Sequence, residues 1–267
     1  MRLISGWERI AGTPAYVTRP APVAAPLPAV LVIQEVWGVD EHIRDLTDRF
    51  ATAGYHAVAP DLFAENGARP AALTEERLEA LKLFLDRAPP EVWRDAVARD
   101  AALGALPEPD ATALRETVAL VLTPDRPYAR WLHTLVDVAA AVRGAPACNG
   151  RIMSTGYCLG GHLSALLAGA DPGLAAAAIY YGASPDTGVM RALACPLIGF
   201  YGSEDARITG TVPPFAEALR AAGKRFEAHV YPGAPHAFFN DTRPSYRADA
   251  ARDAWARTLS LFAERAT

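Results

Sequence analysis

Apolar and polar positions change their rhythm repeatedly along this chain. Ala29, Val30, Leu31, Val32 and Ile33 form a short run with no polar break, as a strand covered on both faces does. Ile43, Leu46, Phe50 and Ala53 then fall on one helical face, and Gly54 stops the helix predicted over 40–53. The alternation continues, with strands predicted at 55–59, 151–155, 176–181, 196–201 and 225–231. Helices are predicted at 74–85, capped by Thr74, and at 130–142, 160–170, 212–222 and 245–263. Strands alternating with helices predict an α/β fold, a mostly parallel sheet with helices on both faces. Sites in such sheets form at the carboxyl ends of the strands. The Pro/Ala stretch 20–28 reads as an exposed connection. Residues 88–129 carry weak helical patterns, at 91–103 and 111–122, and read as a helical insertion on a single domain spanning 1–267.

Composition narrows the class without changing that picture. Hydrophobic residues make up 51% of the 267 and charged residues 21%, an ordinary core-forming balance. The net charge of −4 gives no footprint for nucleic acid or an anionic membrane. No apolar run has the length of a membrane span, and Glu8 and Arg9 interrupt the start too early for a signal peptide. Three cysteines, without CxxC spacing, fit neither a disulfide framework nor a zinc site. A cytoplasmic protein is expected, with no metal and no cofactor, since HExxH and clustered His/Asp spacings are also missing from the sequence.

The chemistry concentrates at Gly156-Tyr157-Cys158-Leu159-Gly160-Gly161, between a predicted strand and a small-residue helix. Glycines at 156 and 160 permit a tight, strained turn that lifts Cys158 above the sheet, at the amino end of the next helix. Free N–H groups and the helix dipole there favour a thiolate. A lone cysteine is usually a small core residue. Inside this frame Cys158 is read as a nucleophile, which needs a base and an acid to orient the base. In α/β-hydrolase order the acid and then the histidine follow the nucleophile. His162 lies on the helix after the turn and His229 lies mid-strand, whereas His236 sits in a Gly/Pro loop after the last strand and is taken as the base. Asp205, on the loop after the preceding strand, is taken as the acid, with Glu204 as runner-up.

Four motifs in order resemble the dienelactone hydrolases (carboxymethylenebutenolidases). They are residues 32–39, which contain Glu35, Val36 and Trp37, the Cys158 turn, Gly202-Ser203-Glu204-Asp205, and Gly233-Ala234-Pro235-His236-Ala237-Phe238. The resemblance spans residues 6–265 apart from the insertion and implies an α/β-hydrolase with a Cys158–His236–Asp205 triad. It also singles out Glu35, whose family counterpart contacts the thiol at rest and swings away as an anionic substrate binds. A carboxylate beside a sulfur disfavours the thiolate and guards the thiol from oxidation. The oxyanion hole is expected from the N–H groups of Leu159 and Val36. Arg77 falls where the family binds a substrate carboxylate, with a helix-surface charge as the alternative, and Trp37, Phe238 and Phe239, near the motifs, read equally as pocket walls or as core. One departure stands out: the family's second arginine, four residues after the histidine, is replaced by Asn240, with Arg243 the nearest arginine. This points away from dienelactone itself. The expected activity is metal-free hydrolysis of a small lactone or ester through an acyl-cysteine. A general carboxylesterase or thioesterase and a non-catalytic ligand-binding relative are the alternatives. The expected partner is that small molecule, with neither nucleic acid nor membrane, and a homodimer is left open.

Overall fold

The computed structural model describes the backbone of all 267 residues and every side chain except those of Val189 and Arg191. The chain begins β1 (Leu3–Ile10), β2 (Thr13–Pro20), β3 (Leu27–Ile33), α1 (Glu41–Thr52) and β4 (His56–Pro60). Four helices follow, α2 (Glu75–Arg87), α3 (Glu91–Arg94), α4 (Ala96–Gly104) and α5 (Asp110–Val121). The remainder runs α6 (Tyr128–Arg143), β5 (Cys148–Tyr157), α7 (Leu159–Ala170), β6 (Leu174–Tyr180), β7 (Leu197–Gly202), α8 (Ala206–Thr209), α9 (Val212–Ala221), β8 (Phe226–Tyr231) and α10 (Ala248–Ala263).

The strands form one eight-stranded sheet in the order β1-β2-β4-β3-β5-β6-β7-β8, parallel from β4 to β8 with an antiparallel pair at one edge. The central strands carry the apolar runs. Ala29 to Ile33 of β3 and Ala57 to Ala59 of β4 have no exposed surface. Alternate strand residues serve opposite faces. Val30, Val32, Met153, Ala178 and Phe200 pack with Ile43, Leu46 and Phe50 of α1 and Ala254 and Phe262 of α10. Leu31, Ile33 and Ile179 point to the other face, the side of α6 and α7. Asp40 starts α1 by accepting from the Ile43 N–H at 3.1 Å, and Gly54, at φ 101°, lets the chain turn into β4. No helix among the described residues is long and apolar enough to cross a membrane.

Two features differ from the sequence reading. The β1–β2 hairpin has no counterpart in it, because β1 is a largely exposed edge strand whose apolar positions do not alternate cleanly. Its turn places Ala11 at φ 48° before Gly12 at φ 80°, and Ala is an unusual residue for the first of these positions. The second difference is the boundary of the insertion. The chain divides into two compact units, one of residues Met1–Leu62 with Tyr128–Thr267, the other Phe63–Pro127. The helical unit therefore starts well before residue 88 and takes in α2. The reason is α2's pairing with α5. The Arg77 guanidinium donates to the Ala113 carbonyl (2.5 Å), Glu116 (2.7 Å) and Thr117 Oγ1 (3.3 Å).

Candidate active site

The turn at Cys158 is built by missing side chains. β5 ends at Tyr157 and α7 starts at Leu159, so Cys158 alone makes the reversal, at φ 54° and ψ −110°. That conformation is strained for any residue with a Cβ. A Cβ on Gly156 would lie 1.9 Å from the Gly160 carbonyl oxygen, and one on Gly160 would lie 2.2 Å from that of Ile33. Their absence brings the end of β3, and with it Glu35 and Val36, against the turn. On the other side the Cys158 N–H donates to the Tyr180 carbonyl at 3.0 Å, which places Tyr181 beside the sulfur. Cys158 is half-buried, whereas Cys148 and Cys195 are buried. Burial pushes the Cys148 thiol up and the Cys195 thiol up to about 12, so both stay protonated near neutral pH.

A second close approach joins the acid to the base. A Cβ on Gly202 would lie 2.2 Å from the Ala234 carbonyl oxygen, and the Glu204 N–H donates to that same oxygen at 3.0 Å. The loops after β7 and β8 therefore run side by side. Asp205 Oδ2 pairs with His236 Nδ1, while Glu204 is exposed. The Cys158 sulfur is the second group that acts on this imidazole electrostatically. Burial works against the imidazolium, but Cys158 and Asp205 outweigh it and push the His236 pKa up to about 10. The other two histidines after Cys158 are engaged elsewhere, His162 with the Ala183 carbonyl (2.9 Å) and His229 with Glu227 (2.7 Å).

Glu35 is 4% exposed, and each carboxylate oxygen has its own donor. Tyr181 Oη donates to Oε1 at 3.2 Å and Asn240 Nδ2 to Oε2 at 3.1 Å. The resemblance led us to expect a contact with the thiol. In the structure the carboxylate's hydrogen-bond partners are instead the phenol and the amide. Tyr181 is fully buried at φ 40°, with its ring edge-on to His236 at 5.1 Å. Burial, then Glu35, Tyr157 and Cys158, raise its phenol well above the ordinary value, so it remains a donor. Sequence reasoning missed both partners. Tyr181 looked like the last residue of an apolar strand, and Asn240 was noted only for the arginine it replaces. A buried asparagine in a loop next to the histidine was the available signal.

The remaining candidates separate. Leu159 opens α7, so its N–H has no helical acceptor, and Val36 lies in the tight turn closed by Glu35 and Gly38. Trp37 is buried, with the Arg243 guanidinium 5.7 Å above its ring. Phe238 has no exposed surface and packs on Tyr181 (5.5 Å) and Tyr231 (5.2 Å). Phe239, similarly buried, packs on Tyr157 and Tyr180. These contacts make both phenylalanines core residues under the histidine loop rather than pocket walls. Arg77 belongs to the helical unit, where its guanidinium is engaged by α5.

Comparison with known proteins gives one answer from both sequence and structure. The sequence profile described as "Dienelactone hydrolase family" matches residues 13–266. A protein of Escherichia coli (strain K12) named "Putative carboxymethylenebutenolidase" is 34% identical over 260 residues, which cover 93% of this chain and 81% of that one. One of the same name from Saccharolobus solfataricus is 32% identical over 235 residues, 88% of each chain. A crystal structure of a "Putative Dienelactone Hydrolase" from Klebsiella pneumoniae superposes with a TM-score of 0.73 at 33% identity, covering 99% of this chain and 100% of that one. With strands β2 to β8, the cysteine turn and the loops after β7 and β8 all inside the matched region, the chain belongs to the dienelactone hydrolase family of α/β-hydrolases.

Proposed function

We propose that the protein hydrolyses a small lactone or ester through an acyl-cysteine carried by Cys158. The observation that carries this reading is the Asp205–His236 pair, whose imidazole is acted on by the Cys158 sulfur at the amino end of α7. The sulfur attacks the carbonyl carbon, and the tetrahedral oxyanion is held by the N–H groups of Leu159 and Val36. Collapse expels the alkoxide, which takes a proton from the His236 imidazolium. A water then gives its proton to His236 and attacks the thioester, and the second collapse releases the acid and regenerates the sulfur. Asp205 holds the imidazole in the required tautomer through both steps. Glu35 sets the charge near the sulfur.

The same family fold would serve a general carboxylesterase. That second reading draws support from Asn240, a neutral amide where the family carries an arginine, and from the engagement of Arg77 with α5. The test is a hydrolysis screen of lactones and aryl esters, each with and without a carboxylate, before and after iodoacetamide. Labelling of Cys158, located by peptide mass, should abolish turnover in step with its extent. Full activity after complete labelling would refute the assignment.

A further inference from the structure

The hydrolytic cycle above gives Glu35 a charge but no fixed position, and the residues around it supply one. We propose that Asn240 is a positioning residue that holds the Glu35 carboxylate on Tyr181, off the Cys158 sulfur, so that the sulfur's proton is shared with His236 rather than with Glu35. This deepens the acyl-cysteine reading and rests on it.

The orientation of Asn240 is forced by its neighbours. Its Oδ1 accepts from the Thr242 N–H at 3.0 Å and from Thr242 Oγ1 at 2.7 Å. A backbone N–H can only donate, so the amide nitrogen must face the other way, where the carboxylate can only accept. Asn240 is 1% exposed, and a flip of its amide would leave donor against donor and acceptor against acceptor. The segment is also pinned from outside. The Asn240 N–H donates to the Ala237 carbonyl at 3.0 Å, and the next residue, Asp241, pairs with Arg49 of α1 at 2.5 Å, with His42 at 3.7 Å. The donor that holds Glu35 is therefore fixed both to the histidine loop and to the helix that follows β3.

Released, Glu35 has a near alternative. The Gly160 approach sets Ile33 and Gln34 against the cysteine turn, and Tyr181, which donates to Glu35, follows Tyr180, whose carbonyl accepts from the Cys158 N–H. The titratable groups around the carboxylate are Tyr181, Tyr157, Cys158 and His236 with Asp205, and behind Asn240 lie Asp241, Arg49 and His42. Tyr181 already donates to Glu35, and burial keeps Tyr157 protonated, with its hydroxyl lacking a hydrogen-bond partner among the described residues. A buried carboxylate oxygen that lost Asn240 would be left without a donor, a costly state. The Cys158 S–H is the mobile proton that could relieve it. That transfer of allegiance keeps the proton on sulfur, leaves His236 neutral and lowers the thiolate fraction that attacks the substrate.

The experiment is the pH profile of Cys158 alkylation by iodoacetamide in the full-length protein, read by peptide mass, alongside steady-state ester hydrolysis. Asn240→Leu should move the alkylation midpoint up by about one pH unit and slow alkylation about tenfold at any pH below both midpoints. kcat should fall in parallel while KM stays within about twofold. Adding Glu35→Gln to Asn240→Leu removes the charge that traps the proton and should restore the wild-type midpoint. Thr242→Ala, which only loosens the amide, should shift the midpoint the same way by less and guards against misfolding of the first variant. An unchanged midpoint in folded Asn240→Leu or Thr242→Ala would overturn the proposal, as would a loss that Glu35→Gln does not restore. Failure of the acyl-cysteine reading looks different, because wild-type turnover would then survive full alkylation.

Discussion

The cysteine turn and the Glu35 corner sit side by side and are held by opposite means. The turn is fixed by backbone. Gly156 and Gly160 have no room for a Cβ, and Cys158 is forced to φ 54°. The corner is fixed by side chains, since Glu35 keeps its place through one phenol and one amide. A backbone-fixed element tolerates almost no substitution at its glycines, so its geometry is all or none. A side-chain-fixed element can be retuned by exchanging one donor, as the neutral Asn240 illustrates. In the proposed mechanism, the rigid half of the site places Cys158 and the adaptable half sets the polar surroundings of its sulfur.

The largest effect separating the two halves should come from the proton path of the turn. His236→Ala should lower kcat by about 10⁴–10⁶, because a triad acts as a unit. Asp205→Asn should cost about 10⁴ or less, through the wrong imidazole tautomer. Glu204→Gln, at an exposed neighbour, should stay near wild type. A damaging Glu204→Gln beside a mild Asp205→Asn would move the acid.

Next comes the backbone itself. Gly160→Ala places a Cβ against the Ile33 carbonyl, with no flexible side chain to yield. It should destabilise by about 3 kcal/mol or more and abolish activity. A wild-type melting temperature would show that the approach of β3 to the turn is looser than described.

A smaller effect tests the charge of the pair. The folded-state pKa of His236 is raised from 6.5 to about 10, so protonation favours the folded state. Its contribution is complete below about pH 6.5 and is lost as pH rises through about 10. The difference in Tm between wild type and His236→Gln should therefore be widest near pH 6 and narrow toward pH 10. A difference that stays constant over that range would contradict the ion pair.

Arg77→Ala should have the smallest effect. It removes hydrogen bonds between α2 and α5 and should lower stability by about 1–2 kcal/mol. Its KM values for carboxylated and neutral esters should change alike. A selective rise for the carboxylated ones would return Arg77 to substrate binding.

What the sequence revealed follows the same division. The turn was readable because its requirements are local: a strand, two glycines, a cysteine and a small-residue helix appear in one stretch. Asp205 and His236 were readable by their order after strand ends. The corner was not readable, because Asn240 and Glu35 are 205 positions apart and their hydrogen bond leaves no local pattern. Phe238 and Arg77 show the converse. One stood in a motif and the other at a position the resemblance singled out, yet Phe238 packs in the core and Arg77 joins two helices. The β1–β2 hairpin escaped notice because an exposed edge strand need not alternate.

The most direct measurement is capture of the covalent intermediate. Wild-type protein mixed with p-nitrophenyl acetate and quenched in acid within the first turnover should carry one acetyl group on the peptide containing Cys158, decaying at the rate of turnover. Acetylation at another residue, or wild-type hydrolysis by Cys158→Ala, would contradict the acyl-cysteine mechanism.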